Sequence, residues 1–414
     1  MQNDTAAAGQ SPDDGTNMLE GIRVLSFAHY LQGPSGVQIL GDLGADVIKV
    51  EPPQGSFERH WAGANARRHG ESVFFLCANR NKRSLALDLK HPEGAQVIRD
   101  LLSNMDVFVE NFRPGVMDKL GFGYDAVKAI NPRIVYVSCS GYGADGPYRD
   151  RPGQDMIIQS LSGLAAVTGS GDGPPAPVGA AVVDQHGAVL LAMGVLAALL
   201  RRAKSGSGCK VDVNLFNAAL DLQIEAFTYF LNGAKMRPRS TASLSSWHSP
   251  APYGVYPTAD GYIGVSLNPV ERMEAALECP ELHAYAGKDP YEERDAISRL
   301  VETSLRKRPT AHWLQVFAKL GVWHAPVNDY PDLLDDPQIA HNGVFLDTSD
   351  ANGNPIRLMA HPVRYDNRAP PVRRPPPRLG QHSVEILEQL GYGPDKIQAL
   401  LAGGAVKAER RGAP

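Results

Sequence analysis

Between residues 177 and 200 a single side chain is charged, that of Asp184. Small and β-branched residues run up to it (PVGAAVV, 177–183) and a long apolar helix pattern follows. The spacing therefore places a carboxylate where a strand ends and a helix begins. Aspartate is among the best N-caps. The position also suits a nucleophile, because a helix N-terminus favours the ionised carboxylate, which is the nucleophilic form. Spacing alone leaves both readings open. The apolar run 187–200 stops at Arg201, Arg202 and Lys204. At that length it predicts a core helix, buried on nearly all sides, and not a bilayer span.

The elements that must hold such a group alternate in type. Residues 22–27 read as a strand, 29–36 as a Gly/Pro turn, 37–43 as a helix and 46–51 as a second strand, a βαβ unit that implies a parallel sheet. Further strands are expected at 84–89, 106–110, 134–138 and 209–215, with helices over 93–104 and from 215 to about 232. Ligands of open parallel sheets sit beyond the carboxyl ends of strands, so the loops after these strands are the expected floor of a cleft. Glu51, ending the second strand, would suit a nucleotide ribose, yet Gly33, Gly36, Gly41 and Gly44 do not make the GxGxxG turn that a dinucleotide needs. Lys82, Arg83 and Lys90 are candidates for an anion site, the alternative being a solvated basic loop.

The fold class expected is α/β: a large Rossmann-like parallel-sheet domain over 19–224, a smaller α+β domain over 225–330, and a segment 331–414 returning to the first. The smaller domain carries a hairpin around Thr258 to Gly261 and amphipathic helices near 270–279, 291–306 and 309–320. The returning segment holds a polyproline-like connector at 369–378 and helices over 332–342 and 383–390. Residues 1–18 have neither the basic nor the apolar part of a signal peptide and are expected to be a disordered tail, and the last ten or so residues to fray.

An apolar content of 43% and a charged content of 21% fit a soluble globular chain, and a net charge of -4 offers nucleic acid no basic footprint. The four cysteines are scattered with no CxxC spacing, which suggests reduced thiols in a cytoplasmic protein and no zinc site.

A series of ordered motifs then meets a known family. LEGIRVL at 19–25, Gly33-Pro34, LGADVIKVE at 43–51, NRNKRSLALD at 79–88, DVFVENFRPG at 106–115, SCSGYGADGP at 138–147, GDGPP at 171–175, the Asp184 segment and KSGSG at 204–208 resemble the class III CoA-transferases. That family includes formyl-CoA transferase, carnitine CoA-transferase and the α-methylacyl-CoA racemases. The resemblance is dense over 19–230 and looser beyond. It implies that Asp184 is the nucleophile and carries CoA as an aspartyl thioester, with acyl-CoA and a carboxylic acid as substrates, no permanently bound cofactor and no metal. It implies an interlocked homodimer. Oxyanions would be held by backbone N–H groups near Gln185 and His186. CoA contacts implied by the matching positions are His29, Leu31, Gln32, Leu87, Lys90, Asn111, Phe112, Arg113, Lys119 and Gln154, the last within a 151–154 segment.

Three departures bear on specificity. Pro52 stands where formyl-CoA transferase has a phosphate-contacting Arg, a contact that Arg59, Arg67 or Arg68 would have to supply. Gln154 stands where the racemases carry a catalytic His, and a primary amide cannot shuttle an α-proton, so racemase ranks below transferase. Residues 241–262 lack the glycine run that closes over the nucleophile in formyl-CoA transferase; Trp247, His248 and Tyr253 are candidates to line an acyl pocket there. A non-catalytic CoA-binding subunit is the reading from outside enzymology.

Overall fold

The computed structural model describes residues 15–409. They divide into two compact units, one formed by residues up to 153 with 184–218 and 340–409, the other by 154–183 with 219–339. Residues 154–183, expected within the large domain, thus group with the smaller unit.

The first unit is built on strands β1 (Arg23–Ser26), β2 (Asp46–Glu51), β3 (Lys82–Leu87), β4 (Val107–Glu110), β5 (Val135–Ser140), β6 (Cys209–Asn214) and β12 (Val406–Lys407), with β7 to β11 lying between in the chain. Their order is β12-β3-β2-β1-β4-β5-β6, all parallel except β12, which runs antiparallel to β3 with Val406 opposite Leu87. Alternation along each strand feeds two cores. Leu25, Ile48, Leu85 and Phe108 point to one face, covered by helices Pro92–Leu102, Ser383–Gln389 and Pro394–Ala402. Val24, Val47, Val107 and Val135 point to the other, covered by α1 (Gln32–Asp42) and α2 (Val182–Ser205). The unit also holds two small antiparallel pairs, a hairpin of β10 (Phe345–Ser349) and β11 (Pro355–Met359) and the two-residue strands Arg67–Arg68 and Glu71–Ser72.

Several expectations change. Gln32 to Gly36 belong to α1 and not to a turn: Pro34 falls in the first turn, where its missing N–H leaves no helical bond unmade. The third strand starts at Lys82 and not at Ser84. The basic pair fits inside a sheet because Lys82 Nζ donates to the Pro34 and Ala78 carbonyls and to Asn79 Oδ1, while Arg83 pairs with Asp46 and Glu385. Neither is left for a solvated loop or an anion. Glu51 is likewise committed, to Arg59, Ser56 and Ser84. The stretch 177–181 is not a strand, and α2 is 24 residues long. By length and composition α2 could cross a membrane, but its inner face, with Leu191, Val195 and Ala198, packs in the core of the unit. Its outer face is open: Val189, Met193 and Leu200 are 53%, 59% and 68% exposed, at helical spacing.

At the ends, residues 1–14 of the expected tail lie outside the described residues; Thr16 is buried and Asn17 accepts from Arg373, so 16–17 are held. The last described residues are held too, by β12 and by the pair between Arg378 and Glu409. The connector 369–378 runs along Asn81, whose Oδ1 accepts from the Arg373 and Arg374 N–H groups.

The smaller unit has a three-stranded antiparallel sheet, β7 (Gly254–Pro257), β8 (Tyr262–Val265) and β9 (His324–Pro326), in the order β9-β8-β7. Helices Val270–Leu277, Arg294–Leu305 and Thr310–Leu320 close its core around Tyr256, Ile263, Val301 and Phe317. The expected helix to 232 is broken into Leu215–Asp221 and Ile224–Leu231, and that over 332–342 into Tyr330–Leu334 and Pro337–Asn342, the second break falling before a proline.

Candidate functional site

The strand order reverses direction between β1 and β4: the chain builds β2 and β3 on one side of β1, then β4, β5 and β6 on the other. Loops leaving β1 and β4 must therefore part, and the crevice between them at the carboxyl ends is where such sheets bind ligands. The loop after β1 carries His29, Tyr30 and Leu31; the turn after β4 carries Asn111, Phe112 and Arg113. They are tied together. The His29 N–H donates to Asn111 Oδ1 at 2.9 Å, Asn111 Nδ2 donates to the His29 carbonyl at 2.7 Å, and the His29 ring lies 5.0 Å from that of Phe112. Burial lowers the His29 pKa, and the nearby Lys49 adds to this against the opposing pull of Glu58.

Behind the β1 loop lies a brace that sequence reading missed. Lys49 and Glu58, both fully buried, pair at 2.7 Å; Lys49 Nζ also donates to the Ala28 carbonyl at 2.9 Å, and Glu58 accepts from the Tyr30 N–H. Tyr30 has a φ of 63°, a strained value for a side chain of its size, and these bonds hold it there. The only sequence signal was a Lys in the middle of an apolar strand.

The crevice is also joined to the Asp184 helix. A Cβ on Gly187 would lie 2.6 Å from Gln32 Nε2, and one on Gly36 2.9 Å from Leu191 Cδ2, so α1 and α2 cross where both lack side chains. Gln185 Nε2 reaches Ser35 Oγ at 3.4 Å. Asp184 is half-buried in the first turn of α2. It is not the N-cap: the helix begins at Val182, and the Val183 N–H donates to Asp155 Oδ2 at 2.8 Å. Gln185 and His186 are then the fourth and fifth helical residues, whose N–H groups are consumed by bonds four residues back. Beside Gly187 of α2 the side chain of Gln32 is 4% exposed, and its Nε2 has no hydrogen-bond partner.

Among the other sequence candidates, Leu31 is half-buried and its carbonyl accepts the Ser35 N–H at the start of α1. Leu87, at the end of β3, is 1% exposed with its side chain in the core, so only its backbone faces outward chemistry. Lys90, Arg113 and Lys119 are exposed. A Cβ on Gly115 would lie 3.2 Å from Arg149 Nη2, which adds an unforeseen cation beside Arg113. Of the substitutes for Pro52, Arg59 is held in two bonds by Glu51, Arg67 donates to the Arg59, His60 and Gly70 carbonyls, and Arg68 to that of Pro355. In the smaller unit Gln154 is exposed just before helix Asp155–Leu161. There too Trp247 is buried under Arg294, which donates to its carbonyl, His248 stacks on Tyr229 at 5.3 Å, and Tyr253 is partly exposed. No cluster of three or more His, Cys, Asp or Glu side chains disposed to hold a metal ion occurs among the described residues.

The model of CoA-transferase family III matches residues 19–383. The succinyl-CoA:glutarate CoA-transferase of Mus musculus is 32% identical, the alignment covering 96% of this chain and 92% of that protein. The acetyl-CoA:oxalate CoA-transferase of Acetobacter aceti is also 32% identical, over 94% and 98%. The crystal structure of a CAIB/BAIF family protein from Brucella suis superposes with a TM-score of 0.78 at 31% identity, covering 91% of this chain and all of that one.

Proposed function

Because the chain belongs to CoA-transferase family III and is an enzyme of that class, we propose that it exchanges CoA between two carboxylic acids through a thioester on Asp184. The observation that carries this is Asp184 in the first turn of α2, with that helix packed on the unpartnered Gln32 amide at the crevice. The carboxylate attacks the thioester carbonyl of an acyl-CoA; the C–S bond breaks, leaving a mixed anhydride and CoA thiolate. Thiolate attack on the Asp184 carbonyl releases the first acid and leaves aspartyl-CoA. The acceptor carboxylate attacks that thioester, and the returning thiolate takes the acyl group, restoring Asp184. Each addition puts negative charge on an oxygen, and Gln32 Nε2, already stripped of water, is a donor that gains a partner only then. The His29, Asn111 and Phe112 turn, with exposed Arg113, Lys119 and Arg149 nearby, takes the nucleotide end of CoA.

The named acceptors of the two relatives, glutarate and oxalate, are dicarboxylates, and a dicarboxylate is the acceptor class proposed here. A racemase is the weaker reading, since Gln154 cannot carry a proton. The exposed stripe of Val189, Met193 and Leu200, and helix Ile224–Leu231, where Ile224, Phe230 and Leu231 are more than half exposed, support a homodimer in which a second copy covers them.

The test is direct. Protein incubated with succinyl-CoA or acetyl-CoA and then hydroxylamine should lose activity and yield a hydroxamate at Asp184. Undiminished transfer by Asp184→Ala would end the proposal.

A further inference from the structure

On the β4 side of the crevice sits a buried carboxyl that the transfer steps leave unused. Glu110 ends β4 and is 6% exposed. Both of its oxygens are engaged: Oε2 accepts the Phe112 N–H at 2.9 Å, and Oε1 the Ser138 hydroxyl at 2.5 Å from neighbouring β5. Phe112 rests on His29, and Asn111 bonds His29 twice. The carboxyl thus fixes, from beneath, the turn that joins the two sides of the crevice.

We propose that Glu110 is a positioning residue for the CoA substrate: it holds the Asn111 to Arg113 turn through the Phe112 N–H, and its neutral form is the one that accepts the polyanionic thioester. This rests on the reading of the crevice as the CoA site. The groups facing it are Tyr136 and Cys139 on β5, Lys210 and Asp212 on β6, Asp118 in the helix after the turn, and His29 across it. Lys210 and Asp212 pair with each other at 2.8 Å. Burial pushes the Tyr136 and Cys139 groups up and the His29 ring down, so all three stay neutral near pH 7. Burial pushes Glu110 up to about 7, against the opposing bonds from Ser138 and Phe112. Glu110 is therefore the group that changes charge near neutrality, beneath a turn that must receive phosphates. Bound polyanion raises a carboxyl's pKa further, and by reciprocity ionisation weakens binding.

The experiment compares CoA affinity by calorimetry, and KM and kcat, for the native protein and Glu110→Gln from pH 6.5 to 8.5. The amide can accept from Phe112 and donate to Ser138, so it keeps the turn and imitates the neutral form. In the native protein Kd and KM should rise about four- to sixfold across the range, as a coupling just under one pK unit requires. Glu110→Gln should stay within about twofold of the native low-pH value, the change falling on KM and not on kcat. Glu110→Gln keeping the native slope would overturn the proposal alone; native protein that binds no CoA would overturn the reading of the crevice with it. Ser138→Ala supplies an independent readout if the amide variant does not fold. Losing that hydroxyl removes a bond that favours the ionised form, so the slope should move to higher pH, and an unmoved slope would count against Glu110.

Discussion

Asn111 and His29 satisfy each other's polar groups in both directions, the side-chain amide of one taking the backbone N–H and the carbonyl of the other at 2.9 and 2.7 Å. This ring of two bonds is what keeps the β1 and β4 loops in register across the point where the sheet changes direction.

Asn111→Ala is expected to leave both backbone groups of a half-buried residue without partners, at about 1 to 3 kcal/mol. Steady-state kinetics should record KM for the acyl-CoA rising at least about tenfold, the equivalent of 1.4 kcal/mol, while far-ultraviolet circular dichroism stays native. An unchanged KM would detach this pair from CoA binding.

Gly187→Ala separates activity from stability. Alanine in a helix interior is favoured over glycine by roughly 0.5 to 1 kcal/mol, yet its Cβ would lie 2.6 Å from Gln32 Nε2. The amide must swing away, so kcat should fall by at least about tenfold, the small end of the losses seen when an oxyanion donor is removed. Thermal unfolding should show Tm within a few degrees of the native value, the helical gain of alanine offsetting part of the crowding at the crossing. A variant with native kcat would exclude Gln32 as an oxyanion donor.

Acid stability should report on Glu51. Burial alone would raise this carboxyl, but two bonds from Arg59, the charge of Lys49 and the Ser56 hydroxyl outweigh it and bring it down to about 2. A pKa lowered by folding stabilises above the ordinary carboxylate range, and that stability drains away as the pH falls from about 4.5 towards 2. Arg59→Ala strands the charge in the core and should cost about 3 to 5 kcal/mol at neutral pH. Urea titrations from pH 7 to 3 should find the mutant's midpoint lower throughout and its deficit shrinking in acid. A constant deficit would mean that Glu51 is not the charge at issue.

Met193→Glu puts a charge in the middle of the exposed stripe on α2, where Met193 is 59% exposed. If a second copy covers that stripe, sedimentation velocity should show monomer in place of dimer, with secondary structure retained. A native dimer carrying this substitution would move the interface elsewhere.

Much of this was legible in the sequence because local pattern decided it. The alternation of β-branched runs with helical periods gave six parallel strands to within a residue or two, and the isolation of Asp184 in apolar sequence marked the helix that carries it. What stayed hidden was long-range. Asp155 serves α2 from 28 residues upstream, so nothing near Asp184 announced that its capping role was already filled. Lys82 and Arg83 read as loop residues because the oxygens that accept their hydrogen bonds, from Pro34 to Glu385, are scattered along the chain. Charge in a sequence is a demand for partners, and it becomes strand or loop only once those partners are found. Gln32 was singled out through the family resemblance, but its relation to Gly187 is a property of how two helices cross.

The arrangement of the first unit also constrains how the molecule comes into being. Its sheet takes β1 to β5 from the first third of the chain, β6 from the middle and β12 from near residue 406. A ribosome therefore releases five neighbours before the sixth, and the flank of β3 stays open until residues 406–407 emerge. Such a nascent sheet offers unpaired backbone to any passing strand. The seven-stranded sheet of the first unit is therefore complete only once residues 406–407 have been made and laid against β3.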